Sequence, residues 1–465
     1  MNRRTFLLNA LGTSALVSLP ALSAYGASKS ELLYSGFAPR KKVIIIGAGM
    51  AGSTAARILT DRGCEVQIIE ARKRVGGRVY TETFGETPID LGASWIHKPV
   101  NNPLTAIAQK LQLKLFTTNG YTKGVLWMYD ANGNSIPETA FQKVSRHFEE
   151  SLEERAEQFL LKQEKDVSVA QLIDSVVDMN GMNEQEKHIL QLIKNSSQME
   201  FATDLEKLSA REIMLNQGGE FTGGDSYNLS GNKRMIDYLL SGISVTLGER
   251  VTRIEQSSSM VTVTTDKKSY EADFAIVTVP LSLLKQNVIE FSPKLPDTKV
   301  QAINRLGMGM FNKIVMEFHN VFWNTDMPYM AAVDGSKDFF GIINYHKMTG
   351  KPFLIAAATR DFAIQLESQN IESIKRYWQE YFHKKFKHTD IDFKTIHVTN
   401  WYNDEYSQGS YSFIPVGAST KDMDILAEPV GNICFAGEAT NSRHYTSMHA
   451  AHLSGIREAK RILKA

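Results

Sequence analysis

Six residues, Gly47-Ala48-Gly49-Met50-Ala51-Gly52, follow directly on the apolar run Val43-Ile44-Ile45-Ile46, and Ala51, Ala55, Ile58 and Leu59 then recur at helical spacing. A strand, a glycine turn and a helix in that order can cradle a diphosphate. Gly47 permits the tight turn, Gly49 lets the backbone approach the pyrophosphate, and Gly52 lets helix and strand pack closely. The helix N-terminus, with Ala51 in its first turn, offers N–H groups and a positive dipole end. Gly63 closes the helix, and Val66-Gln67-Ile68-Ile69 reads as a second buried strand ending at Glu70, about twenty positions past the first glycine. A carboxylate there accepts hydrogen bonds from an adenosine ribose and repels a 2′-phosphate.

Glu70-Ala71-Arg72-Lys73-Arg74-Val75-Gly76-Gly77-Arg78 runs on from that acid as a cationic loop with a glycine pair. Such a loop suits wrapping a diphosphate and laying backbone against a large ring system, which favours a flavin over a nicotinamide. Read without its context, the same basic side chains are a solvated surface run.

The elements that must position these groups need room. At 465 residues the chain holds two or three domains. Its 52 Lys+Arg against 51 Asp+Glu, with 43% hydrophobic and 22% charged residues, is ordinary globular usage, and the basic residues are interspersed with acids. That balance argues against a nucleic-acid partner. Cys64 and Cys434 lie in apolar runs that read as buried strands and are too far apart for a CxxC motif; a disulfide between them stays open. At the N-terminus, Arg3-Arg4 leads into a moderately apolar stretch from Phe6 to Leu22, with small residues at Ala24-Tyr25-Gly26. We read residues 1–26 as a twin-arginine export signal, which implies a bacterial periplasmic location and no stable membrane insertion.

Between about Asn101 and Thr222 the composition turns helical and charged. Strand patterns return at Val251-Thr252-Arg253-Ile254, at Val261 to Thr264 and over Phe274 to Leu281. Lys313 enters an apolar strand, Ile314-Val315-Met316, and composition alone reads it as an exposed strand-edge charge. His449 and His452 sit three apart, but no carboxylate stands at matching spacing, so no metal is expected.

Together, Gly47 to Gly52, Glu70-Ala71-Arg72, Gly76-Gly77-Arg78 and Asp90-Leu91-Gly92-Ala93-Ser94-Trp95-Ile96-His97 resemble the flavin amine oxidases, a family that includes monoamine, polyamine and L-amino-acid oxidases and flavin histone demethylases. The Gly92 to His97 stretch is most similar to polyamine oxidases, which usually follow it with glycine where this chain has Lys98-Pro99. The resemblance runs from about Lys41 to Leu463.

It implies an α/β fold: a discontinuous Rossmann-like FAD-binding domain from residues 40–100, 223–290 and 412–465, and an α+β substrate domain, with a mixed sheet and helices, from 101–222 and 291–411. The FAD contacts it implies are Gly47, Gly49, Ala51, Gly52, Glu70, Ala71, Arg72, Gly77, Arg78, Gly92, Ala93, Ser94, Trp95, Val251, Trp401, Gly437, Glu438 and Met448. Lys313 matches the lysine that holds a water against flavin N5, Tyr411 is one aromatic wall of the amine site, and His97 orients a substrate nitrogen. Ser410 stands where monoamine oxidases carry the cysteine that bonds FAD, so the flavin is expected to be non-covalent. Ser447 stands where they place a second aromatic. The reaction implied is oxidation of a primary or secondary amine, a polyamine among the candidates: hydride passes to the flavin, the imine is hydrolysed, and dioxygen is reduced to hydrogen peroxide. An L-amino-acid oxidase on the same fold and a non-catalytic FAD-binding protein are the competing readings, and a homodimer is left open. A demethylase role is disfavoured, because the long helical insertion is missing and the chain reads as exported.

Overall fold

A computed structural model of the chain describes residues 40–118, 125–215, 221–336, 339–388 and 390–465. The expected βαβ unit forms from β1 (Lys42–Ile46), α1 (Met50–Asp61) and β2 (Glu65–Glu70). Three more strands, β3 (Val245–Leu247), β4 (Phe274–Val277) and β5 (Ile433–Phe435), complete an all-parallel sheet in the order β3-β2-β1-β4-β5. A central parallel strand is covered on both faces, and β1 is apolar accordingly. Val43 and Ile45 pack with Ala51, Leu59 and Met448, while Ile44 and Ile46 join Val251, Val263 and Leu281 on the other side.

The glycines act as the spacing required. Gly47 has φ +104°, and a Cβ at Gly52 would collide with the Gly47 carbonyl oxygen, so the turn closes only without a side chain there. At the far end of α1, Gly63 (φ +83°) donates to Thr60 O at 3.0 Å and Cys64 N–H to Leu59 O at 3.0 Å, the paired bonds of a Schellman stop. The C-terminal helix α2 (Met448–Lys464) lies on α1 so closely that a Cβ at Gly455 would strike the Ala51 carbonyl. His452 Nδ1 and Thr54 Oγ1, 2.8 Å apart, tie the two helices together, which gives that histidine a structural task.

A seven-stranded mixed sheet stands apart from the first. It contains Leu126–Tyr129 and the long strand Phe311–Phe318, flanked by Phe353–Thr359 and Phe393–Val398. The helices Glu138–Leu161, Val169–Val176 and Glu184–Phe201 pack their apolar faces into one cluster with Phe413. Two details depart from the sequence reading. The strand at 274 ends at Val277, because Pro280, which lacks an N–H, caps the short helix Leu281–Lys285. The 101–222 region also carries strands, since Leu115–Thr118 pairs with Asp225–Asn228. Both cysteines are buried and free.

Candidate active site

Side chains alternate along Phe311–Phe318, as in any strand. Asn312, Ile314 and Met316 point to one face; Lys313 and Val315 point to the other, toward Ile89, Leu91 and Tyr227. Lys313 is therefore interior, 2% exposed, and the exposed-edge reading drawn from composition fails. Local pattern cannot reveal that the turn following the strand Thr87–Asp90 folds over this position. Its backbone supplies the missing acceptors: Nζ donates to Asp90 O at 2.6 Å, to Gly92 O at 2.7 Å and to Ser94 Oγ. All three ammonium donors are satisfied. The Trp95 ring lies 5.4 Å from Nζ. Burial pulls the Lys313 pKa well below the ordinary lysine range, and the nearby Asp90 carboxylate opposes that shift. Asp90, itself buried, has its carboxyl raised by burial against the Thr81 hydroxyl, the Asn232 N–H and Lys313.

Trp401 closes over the same turn. Its indole Nε1 donates to Leu91 O at 3.3 Å, and its ring edge lies 3.4 Å from where a Cβ on Gly92 would stand. Ser410 accepts the Phe311 N–H at 2.9 Å and donates back to Phe311 O at 2.8 Å. Tyr411 donates to Met199 O at 2.7 Å, with its ring 6.3 Å from that of Phe311.

The dinucleotide end is built from the chain ends of the parallel sheet. Gly49 bridges to Gly76, and a Cβ on Gly77 would lie 3.6 Å from Gly49 Cα, so three glycines meet at the mouth of α1. The first turn of α1 has no side-chain cap and no acidic residue, as suits an anion. Glu70 is buried, accepting from Ala48 N–H and Arg72 N–H, each at 2.8 Å. Ala71 follows it in the chain, and Val251 opens the strand Val251–Gln256. Ala93 accepts from the Asn232 side chain at 2.9 Å. Gly437 (φ +142°) opens onto space, with nothing within 4 Å of a Cβ. Met448 begins α2, capped by Ser447, whose hydroxyl accepts from Ala450 N–H. These residues fit a bound dinucleotide with a large ring. Two arginines expected at the cofactor have protein partners: Arg72 clamps Asp404 through both terminal nitrogens, at 2.6 and 2.5 Å, and Arg78 bonds Glu438 at 2.9 Å.

Beside Tyr411 lies a set of ionisable groups. His97 Nδ1 is 3.1 Å from Asp225 Oδ2; their side chains keep 46% and 39% of their surface. For His97, burial opposes the charge but Asp225 outweighs it and the pKa rises; for Asp225, burial pushes up but His97 wins and the pKa falls. Glu200 joins them at the end of its helix, its carboxyl pushed up to about 7 by burial against the pull of Lys98 and His97. Sequence reasoning missed Glu200, since a lone acid near the end of a helix carries no local signal. A separate cavity of about 470 Å³, between Phe84 and Lys394, shares none of these residues. Among the described residues no cluster could hold a metal ion, and no helix is long and apolar enough to cross a membrane.

A doubly wound parallel sheet with a glycine turn at its first strand and an acid closing its second defines a dinucleotide-binding protein of the Rossmann type. Comparison with known proteins narrows the class. The family model for flavin-containing amine oxidoreductases matches residues 50–463. Polyamine oxidase 4 of Oryza sativa subsp. japonica is 36% identical over 441 residues, covering 90% of this chain and 89% of its own length. Lysine-specific histone demethylase 1 homolog 2 of Arabidopsis thaliana is 32% identical across 90% of this chain but only 58% of its own length. A solved putrescine oxidase bound to putrescine superposes with a TM-score of 0.74 at 21% identity, covering 92% of this chain and 99% of that one. The chain belongs to the flavin-containing amine oxidoreductase family and is an FAD-dependent amine oxidase, taking a small-molecule amine and dioxygen.

One expectation is overturned. The polyamine oxidases and demethylases matched are plant enzymes, not bacterial periplasmic proteins, so the twin-arginine signal and the periplasmic location are withdrawn. An arginine pair ahead of a short, moderately apolar run is a common composition and carries little address information by itself. Residues 1–26 lie outside the described residues.

Proposed function

We propose that this enzyme oxidises a polyamine, using FAD held without a covalent bond. The observation that carries the reading is the placement of Glu200 beside Tyr411: the Tyr411 hydroxyl is anchored on the Met199 carbonyl, one residue before Glu200. An aromatic wall takes the carbon being oxidised, and the neighbouring carboxylate takes a second, distant ammonium. FAD, when bound, supplies the two-electron acceptor. The chain's own residues bind and orient the amine, exclude water and manage protons. Lys313, held on the 90–94 turn by three acceptors and shifted toward neutrality, is the group that would exchange a proton there. His97, whose Nδ1 is paired with Asp225, orients a substrate nitrogen through Nε2. Glu70, Gly47 and Gly49 would hold the ribose and pyrophosphate, and Gly437 and Met448 the remainder.

Non-covalent attachment is supported by Ser410, whose hydroxyl is bonded at both ends of Phe311 and has no thiol chemistry. We further propose residues 40–100, 223–290 and 412–465 as the FAD-binding domain, with 101–222 and 291–411 as the substrate domain. In support, the parallel sheet takes every strand from the first set and the seven-stranded sheet every strand from the second. Arg72 and Arg78 are engaged by protein carboxylates, so neither of these two is placed to clamp a substrate carboxylate of the kind an L-amino-acid oxidase needs. The test is anaerobic mixing of the yellow protein with spermidine, putrescine, phenylethylamine and several L-amino acids. Loss of the flavin's blue absorbance with a polyamine supports the reading; loss with amino acids alone refutes it.

A further inference from the structure

Glu367, on the helix Arg360–Ser368, lies outside every recognisable motif, yet its carboxylate gathers three donors. Oε1 accepts from Asn312 Nδ2 at 2.5 Å and from Tyr402 N–H at 2.9 Å, and Oε2 from Asn403 N–H at 2.9 Å. Asn312, fully buried, passes the constraint on. Its Nδ2 also donates to Ala363 O at 3.1 Å, and its Oδ1 accepts from Thr399 Oγ1 at 2.9 Å and from Trp401 N–H at 3.3 Å. Every donor and acceptor of that amide is in use, which fixes its orientation. Thr399 then accepts the Lys313 N–H at 2.8 Å through Oγ1 and donates its own N–H to Lys313 O at 3.0 Å.

The consequence is geometric. Lys313 and Trp401 are 88 positions apart in the chain, and both end on the 90–94 turn: the ammonium on the carbonyls of Asp90 and Gly92, the indole on that of Leu91. Their backbones are joined behind that turn by Asn312 and Thr399, and Glu367 anchors the assembly from the opposite face of the strand. Buried polar networks of this kind, fully satisfied, rigidify what they join.

We propose that Glu367 is a positioning residue that holds Trp401 and Lys313 in register against the 90–94 turn, and through them sets the face presented to the flavin. The proposal rests on the flavin lying against that turn, as the functional reading has it. Glu367 itself touches no substrate.

The experiment is hydrogen–deuterium exchange on the FAD-loaded full chain, wild type and Glu367→Gln, with FAD affinity and the flavin absorption spectrum measured on both. Gln keeps the size, but in either orientation its amide nitrogen would face a backbone N–H, of Tyr402 or of Asn403, as a donor against a donor. In the wild type the amides of Trp401, Tyr402 and Asn403 should exchange slowly despite lying in a loop. In E367Q they should exchange at least about tenfold faster, β1 should be unaffected, FAD should dissociate more readily and the flavin bands should shift. Wild-type amides at 401–403 exchanging as freely as an open loop would overturn the proposal even if the variant fails to accumulate. So would unchanged exchange in E367Q. Faster exchange with unchanged FAD affinity and spectrum would sever the link to the flavin face and refute the proposal, while leaving amine bleaching, the test of function, standing.

Discussion

The Lys313 ammonium lies 2.6 Å from the backbone carbonyl of Asp90, while the Asp90 carboxylate is turned away, bonded to Thr81 and to the Asn232 N–H. The two charges sense each other without touching. A lysine placed this way keeps its stem and head out of water yet is not locked as an ion pair, and it can change protonation near neutral pH. That is the property a proton-handling group beside a flavin needs.

Glu200→Gln tests the carboxylate next to Tyr411. A charge-assisted hydrogen bond to a substrate ammonium contributes about 1.5–3 kcal/mol, so KM for spermidine should rise about ten- to a hundredfold, with a much smaller change for phenylethylamine. Glu200 ionises as pH rises through about 7, so wild-type KM for spermidine should fall between pH 6 and 8. In the variant that dependence should vanish. Equal losses for both amines would remove Glu200 from substrate recognition.

Gly52→Ala places a methyl group against the Gly47 carbonyl oxygen and within 3.1 Å of Ile45 Cγ2. Overpacking of this kind costs about 1–3 kcal/mol, and here it also pushes α1 off the diphosphate turn. Reduced thermal stability together with loss of bound FAD is expected from spectra and melting curves. A fully yellow, equally stable G52A would show that the turn tolerates a side chain.

The Gly47 to Glu70 unit is legible in the amino-acid sequence because its chemistry is contiguous: strand, turn, helix and acid all follow within one short stretch. Lys313 cannot be placed from composition, since its burial depends on carbonyls contributed by residues 90–92, more than two hundred positions earlier. The Asp404 partner of Arg72, and the Glu367–Asn312–Thr399 chain, are hidden for the same reason. Each is an ordinary polar residue locally and acquires its role only through long-range packing. Glu200 shares that fate at the end of its helix.

His452 sets a pH dependence of stability. Burial pushes its pKa down to about 4, against about 6.5 in the unfolded chain. Between those values the unfolded chain takes up a proton that the folded one refuses, so stability falls as pH falls through the window and its contribution levels off below about 4. The share of His452 is roughly 3 kcal/mol across the window, and His449, lowered to about 2, acts in the same direction. In urea titrations at pH 7 and pH 4.5, His452→Gln should lose less stability on acidification than wild type. Identical losses would mean that His452 is protonated in the fold.

The most direct test of the account is stopped-flow kinetics of Lys313→Met with the two half-reactions measured separately. Anaerobic bleaching of the flavin by the best amine should persist, while reoxidation by dioxygen should slow by about a hundredfold or more, the range expected when a placed acid–base group is removed. Reoxidation at the wild-type rate, with the variant folded and fully loaded with FAD, would contradict the assignment of this buried ammonium to the flavin's side of the chemistry.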